Sequence, residues 1–196
     1  MSRALPLLVA IAMIVAAGPA SAHTEAGVTG GLLSGFLHPL MGADHLVAMV
    51  AVGLWGAQLG RPGIWVLPIC FPTVMAVGAV LGILGMPLPA PEMAVALSAL
   101  VLGIAVALAV PAPFWAAAIV VGVFAIFHGY AHGRELPEAS NALAYGVGFV
   151  VATGMLHGIG ILIGTLTRWR TGVYVVRALG VAIAGLGGVF LMAAGV

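Results

Sequence analysis

From Val28 onward the sequence is a succession of apolar runs separated by short links. Each run is long enough to cross a bilayer, which takes about 20 helical residues. Breaks at Gly/Pro or charged clusters give six of them, over residues 28–59, 63–84, 93–110, 113–131, 140–166 and 171–194. With 63% hydrophobic and 6% charged residues, the chain has too little polar surface to coat a water-soluble domain. The expected fold is therefore all-α: a polytopic membrane helix bundle of six transmembrane helices, forming one transmembrane domain over residues 23–196. The first run is far longer than a crossing needs and contains Pro39 and Gly42, which predicts a kink, an unwound turn or a steep tilt near Pro39.

The segment before these runs reads as a cleavable signal peptide, residues 1–22. Arg3 supplies the positive start, Leu5 to Ala17 the apolar core, and Ala20-Ser21-Ala22 the small-residue cleavage site, so His23 becomes the first mature residue. An uncleaved anchor helix is the competing reading, but the stretch is short for a span and ends in Gly18-Pro19. Cleavage leaves the mature N-terminus outside, and six crossings return the C-terminus outside. Arg61, Arg168, Arg170 and Arg177 then all fall on the cytoplasmic side, as the positive-inside rule requires of a bacterial cytoplasmic (inner) membrane protein. Glu25, Glu92, Glu135 and Glu138 fall at the outer face, which should attract cations.

Several function classes drop out. Net charge is +1 and the arginines are scattered, so no nucleic-acid surface is expected. Cys70, the single cysteine, can build neither an intramolecular disulfide nor a thiolate site. There is no G-x-x-x-x-G-K-[ST] phosphate loop and no H-E-x-x-H, so neither ATP hydrolysis nor an intramembrane metallohydrolase is indicated, and the chain is not expected to be an enzyme or to hold a cofactor. Small-residue pairs such as Gly31/Gly35, Gly78/Gly82, Gly129/Gly133, Gly154/Gly158 and Gly160/Gly164 are read only as close helix contacts. Whether the chain forms a homo-oligomer is left open by the sequence.

Against this background the histidines stand out. Five of the six, with the only intramembrane carboxylate, Asp44, fall in or at the edges of the spans. A charged group near the bilayer centre costs about 2.5–3.5 kcal/mol on insertion scales, so such residues usually face a partner, a cavity or an ion. His38, Asp44 and His45 form an H-x5-D-H pattern at the predicted break. Imidazole plus one carboxylate suits a divalent first-row metal; the other reading is a structural His–Asp pair between helices. His128, His132 and Glu135 lie on one helix face and form either a second ligand group or an interfacial hydrogen-bonding patch. His157 is alone between glycines, either a ligand or an interhelical hydrogen bonder. Glu92 is either a ligand or a loop-end carboxylate, and His23 either a signal remnant or, with its freed α-amine, a chelating terminus. Ordered by depth these residues form a ladder rather than a closed cage, which suits conduction more than storage.

The segments GFLHPLMGADHLVAMVAVGLW (35–55), FPTVMAVGAVLG (71–82) and FHGYAHGRE (127–135), with the signal and six spans, resemble the HupE/UreJ family of nickel and cobalt permeases that accompany hydrogenase and urease maturation. The resemblance implies that His38, Asp44 and His45 handle the metal, with His128, His132 and Glu135 as the second motif. The expected function is import of Ni2+ or Co2+ through a His/Asp-lined path, with the divalent ion and the lipid bilayer as partners. The alternative is a membrane accessory or sensor protein that delivers metal without transporting it.

Overall fold

A computed structural model describes residues 31–136 and 141–195, which are helical with short turns and contain no strand. The signal-peptide reading and His23 lie outside the described residues. Seven α-helices follow in order: α1 (Gly31–Met41), α2 (Ala43–Leu59), α3 (Gly63–Ile83), α4 (Pro91–Leu108), α5 (Phe114–Glu135), α6 (Ala142–Gly164) and α7 (Arg170–Ala193), with a 3-10 turn (Thr165–Arg168) after α6. Five of them, α3 to α7, are long and apolar enough to span a membrane.

The first predicted span is broken. α1 and α2 meet at Gly42 with a bend of 80°. Pro39 removes the amide that would bond the Gly35 carbonyl, and Gly42 takes an extended conformation (ψ 106°) that no helix continues through. Both halves nevertheless run along α6 in one direction. Gly31 and Gly35 press on Asn141 and Tyr145 near the start of α6, while Gly53 presses on His157 and Ile161 near its end. Taken as one bent span, α1 and α2 bring the candidate crossings among the described residues to six.

Helix ends follow local chemistry. Pro91 opens α4 at a position where its missing N–H is not needed. Asn141 caps α6 by accepting a hydrogen bond from the Ala144 amide at 3.0 Å. Ala109, in the left-handed region at φ 50°, turns the chain out of α4 before Pro111. By helix order Arg61, Arg168 and Arg170 share one end of the bundle, and Arg134 lies at the other. Arg177 belongs with the former, since its Nε donates to the carbonyl of Ala107 near the end of α4.

Glycine sets the helix spacing. Gly78 and Gly82 of α3 meet the backbone of Ile126 and Tyr130, and Gly129 and Gly133 of α5 meet that of Met75 and Ala79, so α3 and α5 touch backbone to backbone. Gly103, Gly180 and Gly187 do the same for α4 and α7. The Gly154/Gly158 pair departs from the expected close contact, because nothing lies within 4 Å of a Cβ placed at either position. Spacing of four shows that two glycines share a face, but not that a neighbour covers it. The outward surface is apolar on every long helix, with Trp65, Ile119, Leu143, Leu162, Val181 and Met192 all exposed, as contact with lipid requires. Trp55 and Gln58 tie α2 to the end of α4 through hydrogen bonds to the carbonyls of Val110 and Val106.

Gly78→Ala drives a methyl into the carbonyl oxygen of Ile126 and should lower stability by about 1–3 kcal/mol or prevent folding. Gly154→Ala, facing open space, should be neutral. Thermal unfolding of the two variants in the same detergent checks the contrast.

Candidate metal site

The break at Gly42 is also where the ionisable side chains gather. On an unbroken helix His38 and His45 would stand about 10.5 Å apart along the axis. Across the bend their ring centroids are 6.2 Å apart. α5 brings two more imidazoles from the opposite wall: His132 lies 4.6 Å from His38 and 4.5 Å from His45, and His128 lies 5.0 Å from His45, centroid to centroid. Phe149 of α6 packs on both His132 and His38 and closes one side. His128 is 0% and His132 4% exposed, so the cluster lies inside the protein.

Tautomers follow from the partners. Nδ1 of His45 lies 2.8 Å from Oδ1 of Asp44, a carboxylate oxygen that can only accept, so Nδ1 carries the hydrogen. The His45 amide donates to the same oxygen at 2.8 Å. Nδ1 of His128 lies 3.0 Å from the Phe124 carbonyl one turn back, so it too is the donor. In both rings the lone pair is left on Nε2. Both Nε2 atoms are buried without a hydrogen-bond partner among the described residues, as are both nitrogens of His132. An unsatisfied buried polar atom costs about 1–3 kcal/mol. Its retention points to a ligand.

A carboxylate or carbonyl holding one imidazole nitrogen while the other faces outward is the usual support of a metal-binding histidine. Asp44 therefore orients His45, a role that spacing along a straight helix did not reveal. It also places negative charge in the first turn of α2, where the helix dipole would otherwise repel a cation. Gly42 leaves room for this pair: a Cβ there would sit 3.0 Å from Nδ1 of His45 and 3.3 Å from Oδ1 of Asp44.

The ring spacing also fits an ion. With nitrogen ligands at about 2.0–2.1 Å, neighbouring imidazole centroids stand roughly 4.6 Å apart at a right angle and roughly 5.3 Å at the tetrahedral angle. The cluster spans 4.5 to 6.2 Å. Among the described residues, however, no three His, Cys, Asp or Glu side chains are already arranged to hold a metal. Ring rotation is needed to turn the nitrogens onto one point, which makes the cluster adaptable rather than a rigid cage.

The other expected residues are placed differently. Glu135 ends α5, three residues past His132, and its side chain lies outside the described set. Glu92 is exposed in the first turn of α4. His157 lies deeper along α6, and the Phe71 ring links it to the cluster, 5.2 Å from His128 and 5.4 Å from His157. Phe71, Phe149 and Thr153 escaped the sequence reading, since apolar and hydroxyl side chains carry no signal until their neighbours are known. A cleft of about 510 Å³ opens at the opposite end of the bundle, between Gln58, Val110, Pro111 and Thr167, and holds none of the histidines.

Comparison with known proteins gives the family. The family described as HupE / UreJ protein matches residues 11–190. The protein named Protein HupE from Rhizobium leguminosarum bv. viciae is 46% identical over 175 residues, which is 89% of this chain and 92% of that protein. No solved structure matches. The chain is a membrane helix bundle that belongs to the HupE/UreJ family.

Proposed function

We propose that the chain is a permease that imports a divalent transition metal, Ni2+ or Co2+, across the bacterial cytoplasmic membrane. One observation carries this reading: His38, His45, His128 and His132 meet inside the bundle at a helix break, with lone pairs buried and unpartnered on His45, His128 and His132. Broken helices line substrate sites in transporters, because free backbone at membrane depth is tolerated only against protein or a cavity. Family membership supports the metal, and the donor set of imidazoles beside one carboxylate suits it.

With the arginine-rich end facing the cytoplasm, as the positive-inside rule favours, the cluster lies towards the outside, at the end where α4 begins with Glu92 and α5 ends with Glu135. The ion is collected there, loses water to the imidazoles and passes inward. The membrane potential drives the movement: about 2.3 kcal/mol per charge per 100 mV gives roughly 4.6 kcal/mol for a doubly charged ion, enough for about a thousandfold accumulation. The protein is not an enzyme in this reading; its residues bind and release, and no covalent step occurs. The rival, an accessory protein that holds metal without moving it, would be better served by converged ligands than by a cluster that must rearrange. Counterflow of radioactive nickel in proteoliposomes of the purified protein separates the two: binding without exchange across the bilayer would establish the rival.

Four outcomes are expected. His132→Ala, which removes the ring shared by both walls, should abolish counterflow while the protein remains monodisperse on gel filtration. Asp44→Asn should weaken Ni2+ binding about 10–100-fold by equilibrium dialysis, because the amide no longer polarises His45. Gly42→Ala should weaken it in the same direction and less, by displacing that pair; an unchanged affinity in both would remove the pair from the mechanism. Protons compete with the metal for the imidazole lone pairs, so uptake should fall as the pH is lowered, measured with the potential clamped.

A further inference from the structure

Below the histidine cluster lies a second group of polar atoms that the cluster does not use. His157 is 1% exposed, and neither ring nitrogen has a hydrogen-bond partner among the described residues. Thr153, one turn earlier on the same face of α6, is 0% exposed, and its Oγ1 is equally unpartnered.

The facing wall supplies the third atom. In α3, Pro72 has no N–H, so the Pro68 carbonyl four residues back lacks its helical donor. That carbonyl lies beside the His157 ring without reaching a geometry that satisfies either nitrogen. Imidazole nitrogen, hydroxyl oxygen and freed carbonyl oxygen are all neutral lone-pair donors.

Phe71 separates this group from the cluster. It is fully buried, one residue before Pro72, and its ring stands edge-on between His128 and His157, at 70° and 84° to their planes. On α6, Phe149, Thr153 and His157 recur every four residues, so one face of that helix leads from the cluster to His157.

We propose that His157, the Thr153 hydroxyl and the Pro68 carbonyl form a second, inner station for the same divalent cation, with the Phe71 ring as the shutter between the two stations. The proposal rests on the permease reading and deepens it. A station of neutral donors binds more weakly than one with a carboxylate, which favours release towards the arginine-rich end. The shutter keeps the two stations from merging into one open pore.

The test uses the purified full-length protein. In Ni2+ counterflow, His157→Gln, close in size and still polar, should lower kcat at least about tenfold while KM stays within about twofold, because capture at the cluster is untouched. Thr153→Val should act in the same direction by severalfold. Binding is read separately with Co2+ on chains disabled at the cluster by His45→Ala together with His132→Ala: a weak Co2+ site with nitrogen ligation, detected by electron paramagnetic resonance, should remain, and adding His157→Gln should remove it. Melting temperatures within a few degrees of wild type establish that each variant is folded. An unchanged kcat in His157→Gln, a rise in KM alone, or a cluster-disabled chain that binds no Co2+ would each overturn the inner station. Failure of the permease reading looks different, as a wild-type protein that shows no counterflow while His157-dependent Co2+ binding persists.

Discussion

Backbone in hydrocarbon has to find its hydrogen bonds within the protein, and the whole site depends on the one place where this chain interrupts them. Between Met41 and Ala43 the helix stops, turns through 80° and starts again. The Gly42 amide still reaches back to the His38 carbonyl at 3.2 Å, and the Gly42 carbonyl accepts from the Leu46 amide at 2.9 Å, so the break leaves little unsatisfied. It does re-aim side chains. Two histidines that a straight helix would stack two turns apart become neighbours, and Asp44 is left at a helix start, where a carboxylate both stabilises the new helix and grips the next residue's ring.

The two walls of the site are built differently. α3 and α5 touch backbone to backbone through glycine, and between them carry Phe71, His128 and His132. α1 is joined to the rest mainly along the first turns of α6, where Gly35 lies on Tyr145 and Gly148 on Leu32. His38 is therefore carried by a short half-helix that ends at Gly42, His45 by the helix that starts after it, and the other two rings by the closely packed α5.

Much of the fold was legible because hydrophobic length is a strong signal in a chain with so few charges. The six crossings stand within a few residues of their expected bounds, and the Pro39–Gly42 disruption was readable from proline chemistry and from a run too long for one crossing. The cluster was only half legible. Spacing put His128 and His132 on one face and singled out H-x5-D-H, but a straight-helix projection sets Asp44 about 100° from His38 and His45 and hides its bond to the latter. His157 illustrates the other limit, since its surroundings come from Pro68, Phe71 and Thr153, and what makes them relevant is a carbonyl released by a proline on another helix. Glu92 was grouped with the ligands by its position in the sequence, and its side chain is exposed at the start of α4.

Among the described side chains Asp44 is the one acid bonded to a cluster imidazole, and its consequence is a matter of charge balance. A doubly charged ion among neutral imidazoles and one carboxylate is left a full unit short of neutrality. In surroundings of low dielectric that residual positive charge cannot be spread away, which on the permease reading raises the energy of the occupied state. A second acid bonded into the cluster would deepen the well towards a trap, whereas a single one favours release.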